Sequence, residues 1–187
     1  MDSYRLKKYD GSIYLCGFMG TGKSSVGIQL AKALDQSFKD LDTEIAHKAE
    51  LSIPEIFEEQ GEDEFRKLEW KTLYELTQNY KGVLSLGGGS LQSQNIVDHL
   101  KLYGLLIFIE TPISEIVHRI GDDQNRPLLR NEDGSIKESA VLMQDLLALY
   151  EKRLPLYEQA QIKITTTDFS SIEEIVADLK ERIARYV

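Results

Sequence analysis

At 187 residues the chain is long enough for one domain with a substantial core, and its 42% hydrophobic and 28% charged content is that of an ordinary globular protein. A net charge of −9 lacks the electrostatic footprint of a nucleic-acid binder, and no apolar run approaches the ~18 residues that a membrane helix needs. The single cysteine, Cys16, excludes an internal disulfide, and the charged stretch from Met1 to Asp10 has no apolar signal region, so the cytoplasm is the expected compartment.

In chain order, Ser12–Cys16 reads as a short buried strand. It runs into Gly17-Phe18-Met19-Gly20-Thr21-Gly22-Lys23-Ser24, which fits the phosphate-binding pattern G-x-x-x-x-G-K-[ST]. Val26, Leu30, Ala33 and Leu34 follow at helical spacing, so the motif has a strand before it and a helix after it. Backbone N–H groups of such a loop face phosphate oxygens, and the helix N-terminus adds partial positive charge. Lys23 adds a full charge within reach of the β- and γ-phosphates, and the Ser24 hydroxyl is placed to ligate Mg²⁺.

Residues 37–39 read as a second strand that ends in Asp40-Leu41-Asp42. If the extended form persists, period-2 geometry points both carboxylates the same way. One could hold Mg²⁺ through water and the other orient or deprotonate an acceptor hydroxyl; a lone pair of this kind reads rather as an acidic turn capping the next helix, and the neighbouring phosphate loop favours the functional reading. A helix is expected over residues 43–49. Ser52-Ile53-Pro54-Glu55 is a capping box that opens another, and Phe65, Leu68, Thr72, Leu73 and Leu76 share one stripe of a further helix. Residues 83–86 form a third strand, stopping at Gly87-Gly88-Gly89, and residues 105–109 a fourth. Thr111-Pro112 caps a helix to about Ile120. Residues 121–135 are polar and aperiodic and read as a long loop. Residues 137–152 read as a helix, 162–164 as the last strand, and Ser170-Ser171-Ile172-Glu173 opens a terminal helix.

Short strands alternating with helices imply parallel βαβ units with helices on both sheet faces. Ligands of such sheets sit at the strands' carboxyl ends, where the phosphate loop, the two aspartates and the triple glycine all fall. An anionic substrate on so acidic a chain needs basic residues gathered locally. Arg66, Arg126 and Arg153 are the candidates, although each taken singly is an unremarkable surface, loop or helix-end arginine.

Taken in order, Gly17 to Ser24, Asp40-Leu41-Asp42, Glu64-Phe65-Arg66, Gly87-Gly88-Gly89, Arg126-Pro127-Leu128-Leu129 and Arg153-Leu154-Pro155-Leu156-Tyr157 resemble the shikimate kinases, over most of the chain. The resemblance implies a three-layer α/β P-loop fold like that of nucleoside-monophosphate kinases, as one domain over residues 1–187. Its five-stranded parallel sheet would run in the order 2-3-1-4-5, with a lid at approximately 119–135. It implies ATP-dependent phosphorylation of the 3-hydroxyl of shikimate, giving shikimate 3-phosphate and ADP within aromatic amino-acid biosynthesis. The agent would be a Mg²⁺-using monomer with no nucleic-acid or membrane partner.

By the same resemblance Asp42 is the base, with Lys23 and Arg126 completing the catalytic set. Gly20, Thr21, Gly22, Lys23, Ser24, Ser25, Arg119 and Arg126 would hold ATP. Arg66 and Arg153 would clamp the carboxylate beside the Gly88 N–H, and Glu69 would hold both arginines. Phe57, Phe65 and Pro127 would line the pocket, while Ser24 would ligate the metal directly and Asp40 through water. Two guanidinium groups suit one carboxylate, because their charge-assisted bonds are directional. Asp122 and Asp123 make the start of the lid acidic, and no adenine-contacting residue after Ile164 is assigned. A gluconate kinase of the same fold shares the loop and lid without needing the arginine pair. A GTP-dependent switch needs an Asn-Lys-x-Asp motif, which the sequence lacks.

Overall fold

The protein is described by a computed structural model covering residues 9–120 and 139–187. The expected loop over residues 121–135, with Asp122, Asp123, Arg126 and Pro127, lies outside the described residues. Five parallel strands, β1 (Ser12–Cys16), β2 (Phe38–Asp40), β3 (Val83–Ser85), β4 (Gly104–Glu110) and β5 (Ile162–Thr165), form one sheet in the order β2-β3-β1-β4-β5. This is the expected order.

Alternation along the strands builds two cores. Ile13, Leu15, Val83, Leu105, Ile107, Ile109, Ile162 and Ile164 face α1 (Lys23–Leu34) and α7 (Ile172–Ile183). Tyr14, Cys16, Leu84, Leu106 and Phe108 face the other way. They are covered by α2 (Leu41–Ala49), α3 (Ile53–Asn79), α4 (Gln94–Tyr103), α5 (Ile113–Ile120) and α6 (Ser139–Tyr157). Each Leu, Ile or Phe so buried contributes ~2 kcal/mol, which is why the central strands read as unbroken apolar runs. No helix among the described residues is long and apolar enough to cross a membrane.

Four local outcomes differ from the sequence reading. The extended form does not persist to Asp42, because α2 begins at Leu41. Asp40 is its N-cap, and its carboxylate accepts the Asp42 N–H at 3.1 Å. Satisfying that otherwise unpaired donor favours the helix over further strand. Second, α4 fills a stretch that the sequence reading left unassigned; Ile96, Val97 and Leu100 supply its apolar face. Third, the two helices expected around Gly61 run on as one element, broken at Gly61 by φ 82°, ψ 172°. Fourth, α6 extends five residues past its expected end, carrying Pro155 within its last turn. Pro155 has no N–H to give to the Glu151 carbonyl, so the last turn forgoes that one bond, and the extension is what carries Arg153 and Tyr157.

β4 opens on Gly104, which pairs with Ser12 of β1. A methyl group on Gly104 would stand 2.3 Å from the Ser12 carbonyl oxygen. Relief requires the ladder itself to move, so Gly104→Ala is expected to cost ~1–3 kcal/mol. The measurement is a lowered urea midpoint at unchanged slope; an unaltered midpoint would show that the strand ends separate freely.

Candidate active site

The loop after β1 closes on its own carbonyls. Gly17 takes φ 140°, and a side chain there would meet the Ile109 carbonyl oxygen at 2.3 Å. Lys23 Nζ donates to the Gly17 and Phe18 carbonyls at 3.0 and 2.7 Å, and Thr21 Oγ1 donates to the Phe18 carbonyl at 3.0 Å. Ser24 Oγ donates to Asp40 Oδ2 at 2.7 Å. Lys23, Ser24 and Asp40, with Asp42, Ser85 and Gly88, line a cleft of about 330 Å³. The expected meeting of phosphate loop, aspartate pair and glycine turn at one sheet edge therefore holds, though Asp42 reaches it from a helix.

The turn after β3 touches every other part of the site. A methyl group on Gly87 would lie 2.8 Å from Asp42 Oδ1, and one on Gly88 would lie 2.9 Å from the Met19 nitrogen of the phosphate loop. One on Gly89 would lie 3.1 Å from Arg66 Nη2 and 3.2 Å from Arg153 Nη2. The two guanidinium groups, from α3 and α6, thus flank a single point above Gly89. Both also line a cleft of about 340 Å³ with Gln92 and Lys152.

The two arginines are held differently. Glu69, only 4% exposed, accepts from Arg66 Nη1 at 2.8 Å and from Ser90 Oγ at 2.7 Å. Arg66 also stands 5.0 Å above the Phe65 ring, which packs against Phe57 at 4.5 Å between centroids. Arg153 does not share Glu69, contrary to expectation. Its Nη1 donates to the Gly88 carbonyl at 2.9 Å, and its guanidinium lies 5.7 Å over the Phe18 ring. Helix position explains the split, because Glu69 is one turn from Arg66 on α3 whereas Arg153 arrives on α6.

Burial first, and then the neighbouring carboxylates of Asp40 and Glu69, push the Asp42 carboxyl up to about 6, against the pull of Lys23 and Arg66. Burial pushes the Cys16 thiol up to about 12, in keeping with a packed thiol rather than a nucleophile.

A further cleft of about 380 Å³ runs along the outer side of the phosphate loop, lined by Gly20, Thr21, Gly22 and Ser25 and by Arg119. Phe169, Ser170 and Ile172 form its opposite wall. Sequence reasoning placed Arg119 here but chose no residue after β5; Phe169, the first aromatic beyond the last strand, follows the turn at Thr166–Asp168. It also passed over Tyr157, although that residue ends the arginine motif. Tyr157 Oη donates to the Gly88 carbonyl at 2.5 Å, and its ring stacks on Phe108 at 5.2 Å.

A family model described as shikimate kinase matches residues 19–184. The shikimate kinase of Chlorobium phaeobacteroides (strain BS1) is 37% identical over 180 residues, covering 96% of this chain and 90% of its own length. Among solved structures, the shikimate kinase from Bacteroides thetaiotaomicron is similar with a TM-score of 0.84 at 30% identity, over 94% of this chain and 99% of that one. The shikimate kinase from Acinetobacter baumannii, in complex with shikimate, gives 0.78 at 36% identity, over 96% and 93%.

The raised Asp42 proton affinity has a stability consequence. The carboxyl titrates near 3.8 when unperturbed and near 6 in the folded protein. Between those values the folded state binds more protons than the unfolded one, so stability falls as pH rises through the window, and the loss is complete above about pH 6. Asp42→Asn removes this penalty. Its urea midpoint at pH 7.5 is expected to rise by the equivalent of ~2 kcal/mol, with the gain shrinking at pH 5. No gain at pH 7.5 would show that the carboxylate is well solvated.

Proposed function

The chain belongs to the shikimate kinase family, and on that premise we propose that its clefts bring the γ-phosphoryl group of ATP to the 3-hydroxyl of shikimate. The observation that carries this reading is the glycine turn, with two guanidinium groups at one end and a high-pKa carboxylate and the phosphate loop at the other.

Shikimate has one carboxylate and ring hydroxyls. Arg66 and Arg153 bind the carboxylate, with Gly88 backbone beside them and Phe57 and Phe65 supporting the Arg66 side. This leaves the hydroxyls toward Asp42. Asp42 is ionised at neutral pH, yet its affinity for a proton exceeds that of an ordinary aspartate. It accepts the proton of the 3-hydroxyl as that oxygen bonds to the γ-phosphorus. The bond from phosphorus to the β,γ-bridging oxygen breaks, and ADP departs with that electron pair. Lys23, with Gly20, Thr21, Gly22 and Ser25 around it, gives its charge to the phosphate oxygens. Arg119 and Phe169 hold the nucleoside end. Arg126, which lies outside the described residues, is the further cation that the family resemblance assigns to the phosphates. Holding the reactants in line is most of the catalysis, because phosphoryl transfer asks for positioning and charge compensation more than covalent help.

Ser24 Oγ and the Asp40 carboxylate are adjacent hard oxygen donors facing the cleft, the type of donor Mg²⁺ takes. Ser24 would hold the ion directly and Asp40 through water. When bound, the ion neutralises charge on the phosphate groups.

A panel of hydroxy acids tested by ADP release with Mg·ATP separates this reading from a sugar-acid kinase. Shikimate is expected to exceed gluconate in kcat/KM by at least ~100-fold, since both acids offer a carboxylate to the arginines but only the ring of shikimate holds its hydroxyls at a fixed distance from it; the reverse preference overturns the assignment. Asp42→Asn is expected to lower kcat by ~10²–10⁴-fold while ATP affinity stays within about twofold. Comparable kcat in that variant would remove Asp42 as the base.

A further inference from the structure

Residues 87–90 form a tight turn, closed by the Ser90 N–H on the Gly87 carbonyl at 3.1 Å. Both central residues are glycine. Neither is among the glycines of positive φ, which excludes the type II arrangement, in which the second central residue must take positive φ. Types I and II differ by a flip of the central peptide. With glycine at both positions, no side chain opposes that flip. A flip would exchange the faces on which the Gly88 carbonyl and the Gly89 N–H lie, at the point where both arginines converge.

What fixes this peptide is α6. The Gly88 carbonyl accepts from Arg153 Nη1 at 2.9 Å and from Tyr157 Oη at 2.5 Å, one helical turn apart. Both lone pairs of the oxygen are thereby used. The two donors are not equivalent. The Nη2 atom of Arg153 already faces the point above Gly89, and a bound carboxylate competes for the whole guanidinium group. Tyr157 has no such second duty. It is 1% exposed, its ring is stacked on Phe108, and its hydroxyl, which donates to the Gly88 carbonyl, also lies within hydrogen-bonding reach of the Arg153 side chain. Burial pushes the phenol up to about 12, so it remains a donor at working pH.

We propose that Tyr157 is a positioning residue for the acceptor site: its hydroxyl holds the Gly88–Gly89 peptide in one orientation, which releases Arg153 to turn to the substrate carboxylate. This rests on the assignment of Arg66 and Arg153 as the carboxylate clamp. Without the hydroxyl, Arg153 is the only side-chain donor to the Gly88 carbonyl among the described residues and must serve turn and substrate at once.

Tyr157→Phe keeps the ring and its stack. It is expected to raise the shikimate KM roughly tenfold, with the ATP KM within about twofold and kcat lowered less than about threefold. Equal rises in both KM values, or an unchanged shikimate KM, overturn the proposal. A second measurement needs no activity. In ¹⁵N-glycine-labelled protein without ligand, the Gly88 and Gly89 amide signals are expected to stay sharp in Tyr157→Phe and in Arg153→Ala, since each leaves one donor. They are expected to broaden or double only in the combined variant; sharp, wild-type signals there also overturn the proposal. If wild-type protein fails to turn over shikimate, the functional reading falls, while the glycine signals still test the turn.

Discussion

The end of β3 is pressed against three parts of the molecule at once, and this is possible only because residues 87 to 89 carry no side chains. Sheet order explains the contacts. β3 lies between β2 and β1, so the turn that follows it must fall between the loops that follow those two strands. One of these delivers Asp42 and the other delivers the phosphate loop. The neighbours at the turn's far end come from α3 and α6, which cover the same sheet face. Phosphate loop, Asp42 and arginine pair thus share one short backbone segment as their common contact. In the proposed mechanism any widening there separates phosphoryl donor from acceptor, and in-line transfer tolerates little separation.

Charge in this region is arranged against the trend of the chain. The whole sequence carries −9, yet Lys23, Arg66 and Arg153 gather at one sheet edge. They are matched there by Asp40, Asp42 and Glu69. The pairing of Glu69 with Arg66 recovers little net stability, because removing two charges from water roughly cancels their attraction. What it secures is the direction of a planar guanidinium group, and directional recognition of a carboxylate needs that. Asp42 is the member with the poorest compensation. Its proton affinity is raised first by burial and then by the Asp40 and Glu69 carboxylates, site residues that cannot be moved away. The same crowding that destabilises the fold makes Asp42 a better proton acceptor.

Legibility in the sequence followed the range of the interaction. The sheet was readable because apolar runs and the glycine-rich motif are local patterns, and strand order followed from the resemblance. The capping box at Ser52 and the cap at Ser171 were readable for the same reason, since each is a contact between residues three apart. α4 was not readable, because its amphipathic face is short and its N-cap Ser93 makes no side-chain cap hydrogen bond. Arg153 was found from its motif, but its true support, the Gly88 carbonyl, lies 65 residues away and has no side chain to signal it. Tyr157 was missed on similar grounds: a buried tyrosine reads as core until its hydroxyl is seen to end on a backbone oxygen. Phe169 stayed unassigned because a nucleoside wall demands only an apolar surface, and no spacing rule marks one.

The early start of α2 divides labour between two aspartates that the sequence presents as equals. Had the strand continued, both carboxylates would have pointed to one side and competed for the same cation. Capping breaks that symmetry. Asp40 spends one oxygen on the Asp42 N–H and the other on Ser24, which ties it to the metal side of the cleft. Asp42, turned by the first helical residues, points instead at Gly87 and the acceptor side. The cap also places the positive end of the α2 dipole beneath Asp42, an influence that tends to keep its carboxylate ionised. Burial and the neighbouring acids act the other way and prevail, leaving a group ionised at neutral pH and still able to take a proton. The balance required of Asp42 as the proposed base therefore originates in one backbone decision, the switch from strand to helix between residues 40 and 41.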